Sequence, residues 1–383
     1  VENRYDYLNL NTCRFLWKQV KFPQATDASN TAAQVLKEGE VQGSDVAAHS
    51  AGVLDIKTNI LANTDALYLT AIDKYGHELW RWTFPVDKLN QQTEPISLLS
   101  IRPTYTETEN DLTVKANKRT FIFSKKDGQL KGVSVDNRKI SFANGPRFIG
   151  ARRADRSLDQ FYNHDDEKAK EKDRTYSEFP DAAVFTKLDV KQDGGDLIVT
   201  ANYKLGNLDK AQWTISPSGD LVLDYTYNFS GVVDLMGICF DYPEDQVISK
   251  RWLGAGPYRV WQNRIHGTQY DVWENDYNDP IPGETFTYPE FKGYFGDVSW
   301  MNIRTKEGII SLTNETPDAY VGVYQPRDGR DRLLYTLPES GISLLNVIPP
   351  VRNKVNSTDL CGPSSQPKWV NGPQTGRIVF RFM

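Results

Sequence analysis

The stretch Leu221-Val222-Leu223-Asp224-Tyr225-Thr226-Tyr227 decides the fold class, because large apolar and aromatic side chains recur in it at every second position. A period of two is typical of a β-strand with one buried face. The stretch follows Ser216-Pro217-Ser218-Gly219, whose residue types favour a tight reversal of the chain. Together the two segments predict the turn and second strand of a β-hairpin.

The same combination of turn and alternating run occurs twice more in the middle of the chain. Lys125-Lys126-Asp127-Gly128 follows Phe121-Ile122-Phe123, and Gln192-Asp193-Gly194-Gly195 precedes Leu197-Ile198-Val199. No helical periodicity interrupts the series. The pattern predicts one large antiparallel domain of two stacked sheets over residues 106–383.

Short strands are also predicted in the N-terminal quarter of the chain. The clearest is the run from His77 to Val86, in which Trp80, Trp82 and Phe84 form one aromatic face. The polar stretch that begins at Pro103 suggests a boundary, so residues 1–105 are predicted to form a small β-sandwich. The other strands predicted in this domain are Arg14–Phe22, Val53–Ile56 and Asp65–Ile72.

Composition excludes several classes of protein. The 383 residues include 45 basic and 50 acidic side chains, a net charge of -5, and no long basic block, so nucleic acid is not an expected partner. No window approaches the roughly 20 apolar residues that span a membrane. The first residue is Val1 rather than Met, so we expect a processed protein or a fragment. Cys13, Cys239 and Cys361 form no C-x-x-C pair, which argues against a disulfide scaffold or a zinc site.

The densest mixture of aromatic and polar residues runs from Trp261 to Asp279. Sugar hydroxyls pair with amides, carboxylates and guanidinium groups, and a pyranose face packs on an aromatic ring, so the mixture suits carbohydrate. The alternative is a long connection whose aromatic residues cover the edge of a sheet. Asp276, Asn278 and Asp279 lack the D-x-D-x-D-G spacing of a calcium loop, so no metal is predicted. The candidate sugar-binding residues here are Trp261, Arg264, His266, Tyr270, Trp273, Asn275, Asp276 and Tyr277.

A second cluster, from Arg152 to Glu167, crowds both signs of charge together. It is either the rim of a pocket or a surface loop with ordinary exposed ion pairs, and the residues themselves favour the loop. We also expect a loop from His164 to Arg174, which lacks apolar periodicity. No histidine lies in a G-x-S-x-G or Cys/His context, so neither a catalytic residue nor a cofactor is predicted. Carboxylate pairs stay open, because their separation depends on the fold.

Several segments, taken in order, resemble the C-terminal region of glycoside hydrolase family 2 enzymes of the β-galactosidase type. The most specific is Arg251-Trp252-Leu253-Gly254-Ala255-Gly256-Pro257-Tyr258 with Asn263-Arg264, which is similar to the family signature W-x-G-x-G-P-x-E-x-x-x-D-R. The resemblance implies an immunoglobulin-like sandwich followed by a supersandwich similar to galactose mutarotase. The supporting segments are Val1–Leu10 with Trp17, Tyr75–Leu79, Phe121–Leu130, Gly145–Phe148 and Tyr288–Glu290 with Gly293.

The chain departs from the family at three places. Arg259 stands near the glutamate of the signature and Asn263 replaces its aspartate. The family's R-A-P-x-D-N-D segment, which borders the active site, falls at 150–159, where either Asp155 or Asp159 is the counterpart. Asn356 to Pro363 replaces the usual D-S-W ending, and there Asn356 and Asp359 are further candidates for sugar binding. Galactose specificity is therefore not carried over.

The two catalytic glutamates of that family lie on a (β/α)₈ barrel, which would precede Val1. The resemblance thus implies a non-catalytic C-terminal part that binds carbohydrate, completes the pocket wall of the missing barrel and is inactive alone. One alternative is a self-sufficient mutarotase or lyase, for which His266 is the only candidate residue. Another is a structural or adhesive carbohydrate-binding β-protein. The resemblance also implies a bacterial periplasmic or extracellular location.

Overall fold

Antiparallel β-strands make up nearly all of the regular structure, which confirms the all-β prediction. The computed structural model describes residues 1–27, 32–86, 101–153, 176–276, 293–323, 341–350 and 362–383. Within these ranges the helices are three short 3₁₀ turns, and none has the length and apolar character needed to cross a membrane. The turns are Leu10–Thr12, Glu244–Gln246 and Pro363–Ser365.

The chain divides into two compact units. The first contains Val1–Thr93 and the short segment Gln269–Val272, and the second contains Glu94–Thr268 and Trp273–Met383. The domain boundary predicted at residue 105 stays a prediction.

Four strands form the sheet of the first unit, in the order β2-β1-β3-β4. Phe15 and Trp17 of the first strand pack with Leu69 and Ala71 of the third, and Cys13 lies in the same cluster. The pattern of large apolar residues at alternate positions therefore places one face of this sheet in a core. The strands are β1 (Arg14–Lys21), β2 (Gln34–Gln42), β3 (Ala66–Ile72) and β4 (Glu78–Pro85).

Two elements of the first unit differ from the sequence predictions. The strand predicted at Val53–Ile56 is wrong, because these residues join no ladder; Leu54 and Ile56 instead pack against the core while Val53 is exposed. Strand β2 was not predicted. It is an edge strand with mostly exposed side chains, so it lacks a clear apolar face.

The second unit contains the remaining strands, apart from the segment Gln269–Val272, which belongs to the first unit. They are β5 (Thr104–Glu107), β6 (Asp111–Ala116), β7 (Arg119–Ser124), β8 (Leu130–Val135), β9 (Arg138–Ile140), β10 (Ala143–Arg153), β11 (Tyr176–Glu178), β12 (Val184–Asp193), β13 (Asp196–Lys204), β14 (Leu208–Ile215), β15 (Leu221–Val233), β16 (Leu235–Asp241), β17 (Val247–Gly256), β18 (Gln269–Asp276), β19 (Trp300–Thr305), β20 (Gly308–Asn314), β21 (Tyr320–Val323), β22 (Ile342–Val347) and β23 (Lys368–Phe382). All three turns predicted from sequence join consecutive strands: β7 to β8, β12 to β13 and β14 to β15.

These strands form two sheets. A ten-stranded sheet runs in the order β21-β22-β16-β10-β8-β7-β6-β5, with β11 paired to β10 and β9 paired to β8. A nine-stranded sheet runs in the order β12-β13-β14-β15-β23-β20-β19-β17-β18.

One aromatic core joins the two sheets into a sandwich. Phe123 of the ten-stranded sheet lies 5.9 Å from Trp213 of the nine-stranded sheet, between ring centroids. Phe240 and Phe380 make a second such contact at 5.4 Å. Because these rings are almost completely buried, the core accounts for one face of each sheet. The opposite face of the nine-stranded sheet carries the candidate site.

Candidate functional site

Strand β17 contains the W-L-G-A-G-P segment and has two different faces. Trp252 belongs to the core: it is 0% exposed, its Nε1 donates to the Ala255 carbonyl at 3.0 Å, and its ring meets Phe295 edge-on at 4.8 Å. Because successive side chains of a strand alternate between faces, Arg251 and Leu253 project from the side opposite the core.

A row of polar side chains crosses four strands on that opposite face. The ladder pairs Arg251 with Asn302, Asn302 with Ser311, and Ser311 with Arg381. Residues directly opposite each other share a face, so these four, called here the polar row, lie side by side. Arg251, Ser311 and Arg381 are 6%, 2% and 9% exposed, and Asn302 is half-buried. Arg381 ends the row in an ion pair with Asp220, Nε to Oδ2 3.0 Å.

Trp300 lies beside the polar row. It stands opposite Leu253 in the ladder, is fully buried, and has the Arg251 guanidinium carbon 5.2 Å from its ring centroid. A guanidinium held over an indole is attracted by the ring. The guanidinium, amide and hydroxyl groups of the polar row are of the types that form hydrogen bonds with sugar hydroxyls.

Two further cations are buried on the core side of this region. Lys250 is 1% exposed and Arg259 is 7% exposed. The Lys250 Nζ and the Arg259 guanidinium carbon lie 5.8 Å and 5.0 Å from the centroid of the same ring, Phe295. Lys250 also donates to the Asp276 carbonyl at 3.3 Å. A buried cation destabilises the fold unless nearby groups compensate its charge. The burial of Lys250 and Arg259 therefore requires such compensation.

The predicted residues of β18 support the segment that follows Trp252. Trp273 Nε1 donates to the Gly254 carbonyl at 3.2 Å, and Asn275 Nδ2 donates to the Pro257 carbonyl at 3.3 Å. A Cβ at Gly256 would overlap the Trp273 ring, so glycine permits the close approach. Trp273, Asn275 and Asp276 therefore hold residues 250–257 in place.

The remaining predicted residues of this stretch are dispersed. Trp261 is 3% exposed and packs edge-on against Tyr294 at 5.8 Å in a small apolar cluster. Arg264 and His266 are exposed in the turn that follows, where the Arg264 amide donates to the Trp261 carbonyl at 2.8 Å. Trp261 is therefore a packing residue, whereas the Arg264 and His266 side chains lie at the surface.

Tyr270 belongs to the first unit, where its ring meets Phe22 edge-on at 5.6 Å. The neighbouring Asp271 accepts hydrogen bonds from the Tyr68 hydroxyl at 2.7 Å and from Arg81 Nη2 at 2.8 Å. Burial, followed by the charge of Asp271, raises the pKa of Tyr68 far above its usual range, so the phenol remains a proton donor. These contacts fix the segment Gln269–Val272 within the first unit.

Five predicted residues lie outside the described part of the chain: Asp155, Asp159, Tyr277, Asn356 and Asp359. The loop predicted from His164 to Arg174 and the possible calcium ligands Asn278 and Asp279 also lie outside it.

One acidic pair stands near the β17 segment. Partial burial and the neighbouring Asp318 carboxylate raise the pKa of Asp297, whose preceding residue Gly296 accepts a hydrogen bond from the Ala255 amide at 2.9 Å. Among the described residues, no group of three or more His, Cys, Asp or Glu side chains could hold a metal ion.

Sequence reasoning did not identify the polar row or Trp300. Arg251 is the one member with a signal in the sequence, because it directly precedes the tryptophan of the W-L-G-A-G-P segment. Asn302, Ser311 and Arg381 stand in ordinary strand sequences, and only the pairing register brings them together.

Comparison with known proteins gives the following relations. The chain is similar to the galactose 1-epimerase of Lactobacillus acidophilus NCFM, at 10% identity and a TM-score of 0.42, over 74% of this chain and 99% of that one. It is also similar to the GalM/aldose epimerase homologue of C. elegans, at 8% identity and a TM-score of 0.36, over 73% and 99%. No curated protein matches the sequence.

A family model described as the beta galactosidase small chain matches residues 115–347, which is more than half of the chain. The match includes β17, β19 and β20, and with them three members of the polar row. The chain belongs to the β-galactosidase small chain family.

Proposed function

We propose that this chain is the non-catalytic C-terminal part of a glycoside hydrolase of family 2, similar to β-galactosidase. In this proposal it binds carbohydrate, completes the pocket wall of a catalytic barrel in the same polypeptide, and does not cleave glycosides alone. The first unit then serves as an immunoglobulin-like spacer, and the parent enzyme acts in the periplasm or outside a bacterial cell.

The family match over residues 115–347 carries the proposal. The strand pairing is consistent with it: the ladders with a known register are antiparallel, including those of β10 with β16 and of β15 with β23, and the parallel contact seen among the described residues is the isolated bridge between Phe240 and Gly341. A (β/α)₈ barrel needs consecutive parallel strands with intervening helices, and the described residues contain no such unit.

Carbohydrate binding is assigned in the proposal to the polar row and Trp300. Asn302, the half-buried member of the row, has the amide donor and acceptor groups that pair with sugar hydroxyls, and the buried Trp300 and Ser311 would act indirectly, by packing beside it. Trp273 and Asn275 would act indirectly, by holding the strand segment that carries Arg251.

The test compares the purified 383-residue chain with its full-length parent on a panel of aryl β-glycosides. We expect turnover only by the parent, and calorimetric binding of the matching oligosaccharide by both. Asn302→Ala should weaken binding by the isolated chain. Asn371→Ala is the matched control, because Asn371 is exposed on β23. Clear turnover by the isolated chain would overturn the proposal.

Polarimetry separates this proposal from the alternatives. A mutarotase would interconvert sugar anomers faster than buffer, in a reaction that His266→Ala would abolish. A purely structural protein would bind no oligosaccharide, whereas a structural carbohydrate-binding protein would bind it although its parent cleaves no aryl glycoside.

A further inference from the structure

One edge strand of the first unit carries a row of exposed aromatic side chains. Trp80, Trp82 and Phe84 alternate along β4 and are 39%, 40% and 48% exposed. Because alternate residues of a strand point to the same face, the three rings form one row, called here the aromatic stripe. The polar row lies in the second unit, so the proposed function does not account for the stripe.

The stripe continues the apolar face of its sheet as far as the edge. In the ladder of β3 with β4, Trp80 stands opposite Ala71 and Trp82 stands opposite Leu69. Both partners are buried in the core of the first unit. The core therefore covers this face at β3, whereas the rings of β4 remain partly open to solvent.

The other edge of the same sheet has a different composition. Strand β2 presents charged side chains, of which Glu38 pairs with Lys18 at 3.4 Å and Glu40 pairs with Arg14 at 3.2 Å. Charged side chains protect the edge of a sheet from unwanted association, and β4 lacks this protection. A row of large exposed apolar side chains is instead typical of a binding surface.

We propose that the aromatic stripe binds a neutral polysaccharide chain, whose sugar rings stack on Trp80, Trp82 and Phe84. The stripe is then a second carbohydrate site, in a different unit from the polar row, and it holds the polymer without taking part in cleavage. This inference goes beyond the proposed function and does not depend on sugar binding at Asn302.

The spacing of the rings suits a chain of sugars. Residues two apart on a strand are about 6.8 Å apart, so the stripe is about 13 Å long from Trp80 to Phe84. The apolar C–H face of a pyranose packs on an aromatic ring, and successive rings along a strand can hold successive parts of one chain. A polymer therefore gains more contacts here than a single sugar does.

The charges of β4 favour a neutral ligand. Nucleic acid bases also stack on aromatic rings, but such sites need cations for the phosphates. The one cation in the sequence of β4 is Arg81, which alternation places on the other face and which pairs with Asp271 at 2.8 Å. The stripe itself carries no charge, so a polyanion gains nothing from it.

The area of the stripe is small for a protein partner. At 39–48% exposure, rings of roughly 150–250 Å² each leave about 200–300 Å² accessible in total. A stable interface between two proteins covers about 800 Å² on each partner. The stripe alone therefore does not hold a second copy of the chain, whereas stacking of sugar rings requires no larger area.

The experiment measures the mobility of the 383-residue chain in native gels that contain a neutral polysaccharide: a β-glucan, a β-galactan or a β-mannan. We expect at least one of the three to retard the chain, and the dependence on polysaccharide concentration gives the affinity. Trp82→Ala removes the central ring and should weaken the affinity about 10-fold, as expected for one lost aromatic contact. Trp82→Phe keeps a stacking face and should retain most of the affinity.

Two variants of the second unit are the controls. Trp369→Ala is the matched change, because Trp369 is 71% exposed on β23, and it should leave the retardation unchanged. Asn302→Ala should also leave it unchanged, which separates the stripe from the polar row. Circular dichroism and thermal melting confirm that each variant is folded.

Retardation that Trp82→Ala does not weaken would overturn the inference, as would the absence of retardation by all three polysaccharides. Light scattering gives another contrary outcome: a dimer that Trp82→Ala converts to a monomer would mean that a second copy covers the stripe. The inference also fails if the full-length parent is not retarded although the isolated chain is, since another part of the parent would then cover the rings. Each of these outcomes leaves the proposed function standing, because that function is tested at Asn302.

Discussion

Two rows of side chains cross strands β17, β19, β20 and β23 at positions one residue apart. They lie on opposite faces of the sheet and differ in polarity. The apolar row, Trp252, Met301, Leu312 and Phe380, faces the aromatic core and is at most 1% exposed. The polar row is almost as deeply buried but consists of guanidinium, amide and hydroxyl groups. Burial alone therefore does not determine the chemistry of a position. The apolar row is stabilised by removal of its surface from water, whereas the polar row depends on satisfied hydrogen bonds.

The largest effect on stability is expected from truncating a side chain of the apolar row. Trp252→Ala should lower the free energy of unfolding by about 3–5 kcal/mol, because it leaves a cavity between two packed sheets and removes the ring contact with Phe295. Urea denaturation followed by circular dichroism measures the change. Trp369→Ala, at an exposed tryptophan of β23, is the control and should cost less than about 1 kcal/mol. If both variants lost the same free energy of unfolding, burial in the apolar row would not be what stabilises the fold.

A smaller loss is expected at the end of the polar row. Asp220→Asn removes the negative partner of Arg381, and both side chains are mostly buried, at 15% and 11% exposed. Hydrogen bonds to charged groups contribute about 1.5–3 kcal/mol, so the variant should be destabilised by about that amount. The control is Asp136→Asn, whose ion pair with Lys118 is 60–70% exposed and should contribute little. An equally small effect at both positions would mean that the row does not depend on this ion pair.

The two rows also differ in how far sequence could predict them. Alternation in Leu221–Tyr227 predicted the strand, and the turn residues placed its hairpin correctly, because both signals are local. The apolar row follows from such alternation in each strand. The polar row does not follow from alternation. Only the register of three strand pairs places Arg251 and Arg381 in the same row.

Composition could not decide whether Trp261 belongs to a recognition surface or to a packed connection. A mixture of aromatic and polar residues indicates a recognition surface or a packed connection equally well, and only the contacts of each ring distinguish them. Trp261 packs against Tyr294, whereas Trp273 supports the Gly254 backbone. Trp300 lies beside the polar row although nothing in its local sequence marks it as different from these two.

The smallest effect on stability, and the sharpest contrast between the rows, is expected from Arg251→Met. Methionine has a similar length and no charge, and its flexible thioether can keep the contact with the Trp300 ring that the guanidinium makes. We expect the free energy of unfolding to change by less than about 1 kcal/mol, although the position is as buried as its neighbours in the apolar row. Oligosaccharide binding should nevertheless weaken about 10-fold or more, since the polar row loses the N–H donors of Arg251. Denaturation and calorimetry on the same preparation measure both quantities. A loss of stability as large as that of Trp252→Ala, with binding unchanged, would show that Arg251 serves the fold and that the polar row is a second core rather than a binding surface.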